Sequence, residues 1–188
     1  MRLFVAAAIP QEVRDGLARA QNRLRAGLPH ARWASLVTMH LTILFLGEVE
    51  EPRLDPLSSA LSLSLAGPEA RGCQVRVRGL GVFPDFRRPR VLWAGLEDSP
   101  PGTLSLLHDR AAGAAAGAGL ATEDRPFRPH LTLARLGDGR PPASLRGQVD
   151  AARDEDLGEF EVRALHLYQS LLKPGGAEHR RLREYPLP

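Results

Sequence analysis

A chain of 188 residues, 43% hydrophobic and 25% charged, carries enough apolar material for one compact domain and lacks the bias of long disorder. No apolar run reaches the length of a membrane span, and the single Cys73 excludes an intramolecular disulfide framework and fits a reducing, cytoplasmic setting. The excess of 25 basic over 22 acidic residues leans weakly toward a polyanion such as RNA, but a net charge of +3 is also ordinary for proteins that never meet nucleic acid.

Residues 2–9 read as a buried first strand; this apolar opening has one positive charge and no convincing cleavage site, unlike a signal peptide. Pro10 suits a first helical turn, and Val13, Leu17, Ala20, Leu24 and Leu28 recur at helical spacing. After a loop at Pro29, Met39–Gly47 predicts a strand. Leu54, Leu57, Leu61 and Leu65 mark a second amphipathic helix, closed by Gly67-Pro68. Val75 and Val77 alternate with Gln74, Arg76 and Arg78 as in a half-exposed strand, and Val91–Leu96 forms another.

Thr103–Leu120 reads as a helix despite Gly113, Gly117 and Gly119. A strand at His130–Leu136 and a helix at Pro142–Ala152 follow. Phe160–Leu172 reads as one long strand, bulged where its apolar spacing slips; Pro174-Gly175-Gly176 is a turn and Glu178–Tyr185 a last hairpin strand. The fold class is α+β with largely antiparallel sheets. One domain over 1–188 is expected, built from two similar lobes, roughly 1–97 and 98–188, that exchange strands. Equivalent strands then face each other across a central groove, with helices outside.

Two segments carry chemistry. Met39-His40-Leu41-Thr42-Ile43-Leu44-Phe45-Leu46-Gly47 and Pro129-His130-Leu131-Thr132-Leu133-Ala134-Arg135-Leu136-Gly137 share His-Leu-Thr and a glycine at the same distance beyond it, about half a chain apart. With six histidines in 188 residues, chance expects only about 0.2 His-x-Thr matches. In a strand, residues i and i+2 share a face, so His40 projects with Thr42 and His130 with Thr132. Histidine exchanges protons near neutrality, and threonine donates a hydrogen bond to a phosphate oxygen without adding charge. Two facing pairs supply both proton transfers of an in-line displacement, with no metal or other cofactor invoked.

With these segments the chain resembles the 2H phosphoesterases, specifically the RNA 2′,3′-cyclic phosphodiesterases once named 2′-5′ RNA ligases. The resemblance extends through Leu3-Phe4-Val5-Ala6, Arg32-Trp33, Phe83-Pro84, Arg90-Val91-Leu92-Trp93, Phe127-Arg128, Tyr168-Gln169-Ser170 and Pro174-Gly175-Gly176. It implies two pseudo-symmetric lobes with the histidines in the cleft between them. It further implies hydrolysis of an RNA 2′,3′-cyclic phosphate end to a 2′-phosphate, and a weak, reversible 2′-5′ ligation without ATP. Arg135 would contact the phosphate and Phe45 would stack on the terminal base. Strict alternation turns both of these away from their histidines, so the assignment requires a bulge or a strand end near Leu44 and Ala134. The chain departs from the family at Glu178-His179, where members often carry a tyrosine.

Each residue also has a plainer reading. Threonine is a good strand former, Phe45 suits a core, and Arg135 is one arginine among many. Trp33, Arg32, Phe127 and Arg128 serve RNA contact or loop packing equally well. His30, His108, His166 and His179 read as surface or structural, without metal-ligand spacing. Lys173 reads as a turn flank and not a ligase lysine, since no phosphate-binding glycine loop accompanies it. For water attack, the working assignment is His40 as acid and His130 as base. The alternatives are the same chemistry on a small cyclic nucleotide or 2′-5′ oligonucleotide, or a non-catalytic RNA-end binder. The chain is read as a monomer.

Overall fold

The computed structural model describes residues 1–122, 126–137, 142–173 and 176–188. The elements run β1 (Arg2–Ala8), α1 (Gln11–Arg25), β2 (Arg32–Trp33), β3 (His40–Glu48), α2 (Leu54–Leu65), β4 (Cys73–Phe83), β5 (Val91–Ser99), α3 (Thr103–Gly117), β6 (His130–Arg135), α4 (Ser144–Ala151), β7 (Asp156–Val162), β8 (Ala164–Lys173) and β9 (Gly176–Pro186). The strands form two antiparallel sheets, one ordered β3-β1-β8-β9 and the other β2-β6-β5-β4-β7. Leaving aside the two-residue β2, each sheet begins with a His-Leu-Thr strand, β3 or β6, and these two lie against one another. The mixed α+β class and the twofold repeat are therefore as the sequence suggests.

The sheets interleave along the chain. Residues 73–99 supply β4 and β5 to the sheet of β6, whereas β8 and β9 return to complete the sheet of β1 and β3. A midpoint near residue 97 falls inside β5, so the lobes are not the two sequence halves. The long strand expected at 160–172 is two: β7 ends at Val162 in one sheet and β8 begins at Ala164 in the other. The slip in apolar spacing at Arg163 marks this transfer between sheets, not a bulge. The turn expected at Pro174-Gly175 lies outside the described residues.

Helices cover the apolar faces. α1 buries Val13, Gly16, Leu17, Ala20, Gln21 and Leu24, a stripe of helical period that packs over β7. α2 buries Leu57, Leu61 and Leu65, and α3 meets it with Leu104, Leu107, Ala111, Ala114 and Ala115. α3 stops three residues short of Leu120 because Gly119 takes a φ of 74°. Leu120 N–H then donates to Ala115 O at 3.0 Å and Gly119 N–H to Ala116 O at 2.9 Å, closing the last turn with a Schellman motif.

Gly16 lets α1 reach β7: a Cβ there would stand 2.1 Å from the Leu157 carbonyl oxygen. Helix propensity alone would favour alanine. Gly16→Ala is nevertheless expected to destabilise the protein by about 1–3 kcal/mol, because the opposing atom is backbone and cannot rotate away. Urea unfolding measures this, and an unchanged or raised midpoint would refute the close approach.

Candidate active site

Each His-Leu-Thr strand carries one extra residue three places after its histidine. Along β3, Thr42 pairs with Ala6 and Leu44 with Val5, leaving Ile43 without a partner. Along β6, Thr132 pairs with Trp93 and Ala134 with Leu92, leaving Leu133 as the unpaired residue. Side-chain direction therefore slips by one, and two consecutive residues point into the core: Ile43 with Leu44, and Leu133 with Ala134, all at most 4% exposed. Phe45 and Arg135 are thereby returned to the face of His40-Thr42 and His130-Thr132. Both are exposed, Phe45 to 50%. Bulges thus lie beside Leu44 and Ala134.

The two histidines are held alike. His40 Nδ1–H donates to Thr38 O at 2.8 Å, and His130 Nδ1–H donates to Arg128 O at 2.8 Å. A carbonyl only accepts, so each neutral ring keeps its proton on Nδ1 and presents the Nε2 lone pair. A phosphate bound between them would meet two imidazoles of the same tautomer, each able to take a proton at Nε2 or return one.

Burial depresses both rings. His40 is pushed down to about 4 by desolvation; the Thr38 carbonyl opposes this and the neighbouring His179 adds to it. His130 is lowered less far, again by burial first, with the Arg128 carbonyl opposing and the Arg135 charge adding.

The surroundings of His40 were not legible beforehand. Its ring stacks on Phe4 at 4.6 Å between centroids, and Phe4 stacks on Tyr168 at 5.3 Å. His179 stands perpendicular to the pair, 5.0 Å from each of His40 and Phe4. The expectation that His179 is a surface or structural residue therefore misses its contact with His40: the β8–β9 hairpin brings it there from the far edge of the sheet. On the other sheet, Phe83 meets His130 edge-on at 5.1 Å and packs on Trp93.

Gln21 is a further residue that sequence reading passed over. It is 3% exposed on α1, and its amide donates to Leu133 O at 3.0 Å and Ala34 O at 2.9 Å. Ala34 N–H also donates to Leu133 O at 2.9 Å, so the β6 bulge is clamped from two sides. The available signal was a glutamine within the apolar stripe of a helix, one turn after Leu17.

Other candidates find partners elsewhere. Trp33 packs under the Arg25 guanidinium, 5.0 Å from its ring centroid, and pairs with Ala134 beside the bulge. Phe127 stacks on His108 at 4.5 Å, His166 lies buried beside Glu184, and Lys173 pairs with Glu178 at 2.6 Å. Among the described residues, no group of three or more His, Cys, Asp or Glu side chains could hold a metal ion. No described helix is long and apolar enough to cross a membrane.

Comparison with known proteins gives one consistent answer. The family model described as LigT like Phosphoesterase matches residues 8–93 and 95–177. An RNA 2′,3′-cyclic phosphodiesterase of Thermus thermophilus is 37% identical, covering 100% of this chain and 90% of the relative. One from Methanocaldococcus jannaschii is 28% identical, covering 98% of this chain and all of the relative. Among solved structures, a protein of Thermus thermophilus superposes with a TM-score of 0.79 at 29% identity, over 100% of this chain and 98% of that one. Escherichia coli LigT complexed with 3′-AMP superposes with a TM-score of 0.76 at 26% identity, over 99% and 97%.

Two outcomes follow from this geometry. Gln21→Leu is expected to cost about 1–3 kcal/mol in urea unfolding, since it strips a donor from two inward carbonyls; a loss under a few tenths would sink the clamp. Both histidines bind protons less tightly folded than unfolded, so the unfolded chain takes up more protons as the pH drops. Stability should be full above about pH 6.5, the ordinary histidine value, and fall as the pH drops toward 4. His40→Asn should flatten much of that slope; a slope unchanged in the variant would contradict the burial of His40.

Proposed function

The chain belongs to the LigT-like phosphoesterase family, and we propose that it hydrolyses the 2′,3′-cyclic phosphate at an RNA end to a 2′-phosphate, using His40 and His130 as its acid–base pair. One observation carries this reading: two bulged strands present identically oriented imidazoles, each Nδ1–H tied to the carbonyl two residues earlier. The names of the relatives support the substrate.

Water attacks phosphorus and gives its proton to one Nε2; the bond from phosphorus to O3′ breaks, and the other ring protonates O3′. One water is added, and proton exchange with solvent returns both rings to their starting states before the next turnover. Thr42 and Thr132 donate to the non-bridging oxygens, and Arg135 balances the charge that grows on them. Phe45, half-exposed beside Phe4, offers a stacking surface for the terminal base. A 5′-hydroxyl in place of water gives the 2′-5′ linkage, which is the ligation direction and needs no ATP. The reaction as proposed uses no metal, and the protein acts as a monomer in the cytoplasm.

The working assignment keeps His40 as acid and His130 as base; burial disfavours the charged form of both rings, and the charge of a bound phosphate would oppose that.

Incubation of an RNA oligomer ending in a 2′,3′-cyclic phosphate, in EDTA and without ATP, should yield only the 2′-phosphate, read by mass spectrometry and isomer-specific digestion. His40→Ala and His130→Ala should each lose about 10²–10⁴-fold in kcat. A substrate with a better 3′ leaving group should spare His40→Ala and not His130→Ala; the opposite pattern would reverse the roles. Activity abolished by EDTA and restored by a divalent ion would overturn the metal-free route; an untouched RNA end alongside hydrolysis of 2′,3′-cyclic AMP would move the substrate to small cyclic nucleotides.

A further inference from the structure

His179 is a third imidazole, in contact with one member of the pair, His40. Phe4, His40 and His179 form a triangle with centroid separations of 4.6, 5.0 and 5.0 Å, the first two rings stacked and His179 perpendicular to both. An apex equidistant from two stacked rings lies beside the stack and not above it. His179 therefore borders the edges of Phe4 and His40, on the face that also carries Thr42 and Phe45. The side chain is half-buried, and its Nδ1 is covered and without a hydrogen-bond partner among the described residues. The Glu178 carbonyl favours the charged ring without closing a hydrogen bond, while burial works the other way and dominates.

His40 and His130 are each anchored through Nδ1 to a carbonyl, which commits their Nε2 to proton exchange. His179 lacks that anchor. This half-buried imidazole stands against His40 with its Nδ1 covered and unpartnered, and no hydrogen bond among the described residues occupies its Nε2, which leaves that atom available to a ligand. Its backbone is fixed by the hairpin register, in which His179 pairs with Ser170, and by the adjacent ion pair between Lys173 and Glu178. Other ionisable groups lie near this face, among them Arg14 and His166, whose Nε and Nδ1 are likewise covered without a partner among the described residues. Glu184 meets both His166 and Arg181, while Arg181 and Arg14 act on the Tyr168 hydroxyl. His40 is the group whose proton affinity His179 lowers.

We propose that His179 is a third histidine of the phosphate site, donating Nε2–H to an oxygen of the cyclic phosphate; this rests on the cyclic phosphodiesterase reading above. The role is substrate binding with no covalent step. It also gives the Glu178-His179 departure from the family's usual tyrosine a chemical content, since phenol O–H and imidazole Nε2–H are both donors on aromatic rings. A bound phosphate anion then offsets the mutual repulsion that otherwise discourages protons on two adjacent imidazoles.

Three substitutions separate this role from packing. His179→Phe keeps an aromatic ring against Phe4 and removes the donor, whereas His179→Tyr and His179→Gln keep a donor. With 2′,3′-cyclic AMP as substrate, His179→Phe should lower kcat/KM by about 10–100-fold, as expected for a hydrogen bond to a charged group. The other two should recover most of it. A His179→Phe enzyme within twofold of wild type overturns the proposal, as does equal loss in all three.

The second measurement is a proton NMR titration of the histidine rings of the wild-type protein with and without inorganic phosphate. Phosphate should raise the titration midpoint of His179, assigned by the resonance missing from His179→Phe, together with those of His40 and His130. Midpoints that move for His40 and His130 but not His179 would overturn the inference and leave the enzymatic reading standing. If no histidine responds to phosphate and the cyclic RNA end is untouched, the phosphodiesterase reading itself falls.

Discussion

The constraint on which the site depends is a count of residues on one strand. A pleated strand alternates faces with period two, so a histidine, a threonine two places on and a third residue at position five cannot share a face unless one extra residue intervenes. In β3 that residue is Ile43 and in β6 it is Leu133. In β6 the extra residue is unpaired toward β5, while its carbonyl accepts from the Ala34 amide, continuing the β2–β6 register, and from the Gln21 side chain. The bulge thereby turns a regular strand into a three-point platform, while two successive apolar side chains secure it to the core.

Around that platform, burial and hydrogen bonding act in opposite senses on the imidazoles. Desolvation by Phe4, Tyr168 and Phe83 removes water and disfavours charge, while the Thr38 and Arg128 carbonyls favour it. The result is a pair of neutral, oriented rings in the empty site. In the mechanism proposed above, an arriving phosphate would supply the negative charge that lets one of them become protonated, so the acid would be created by the substrate's own presence.

Much of this was legible in the residues. The duplicated His-Leu-Thr segments located the two strands that meet where the sheets adjoin, and the roles the family resemblance gave Phe45 and Arg135 conflicted with alternation unless a bulge or strand end intervened. What the residues did not disclose was long-range. Phe160–Leu172 read as one strand because local periodicity carries no record of which sheet a strand joins; only its slip at Arg163 hinted at a change. Likewise His179 is about 140 positions from His40, and only the twist of the β8–β9 hairpin over the sheet brings them together. Gln21 was hidden for the same reason, since its partners Ala34 and Leu133 lie in a different sheet from the strand that precedes its helix.

The interleaved strand order also bears on how the molecule comes into being. Strands β4 to β7, with β6 and its histidine, occupy a single stretch of chain, while the other sheet needs β1 and β3 from one side of that stretch and β8 and β9 from the other. During synthesis the inner sheet has all its long strands available while β1 still waits for the chain to emerge through β8, its second neighbour. Closing that sheet spans most of the polypeptide, and the entropy of so long a loop is lost before the pairing that offsets it can form. The sheet that carries His40 is thus complete only once β8 has paired with β1 and β9 with β8.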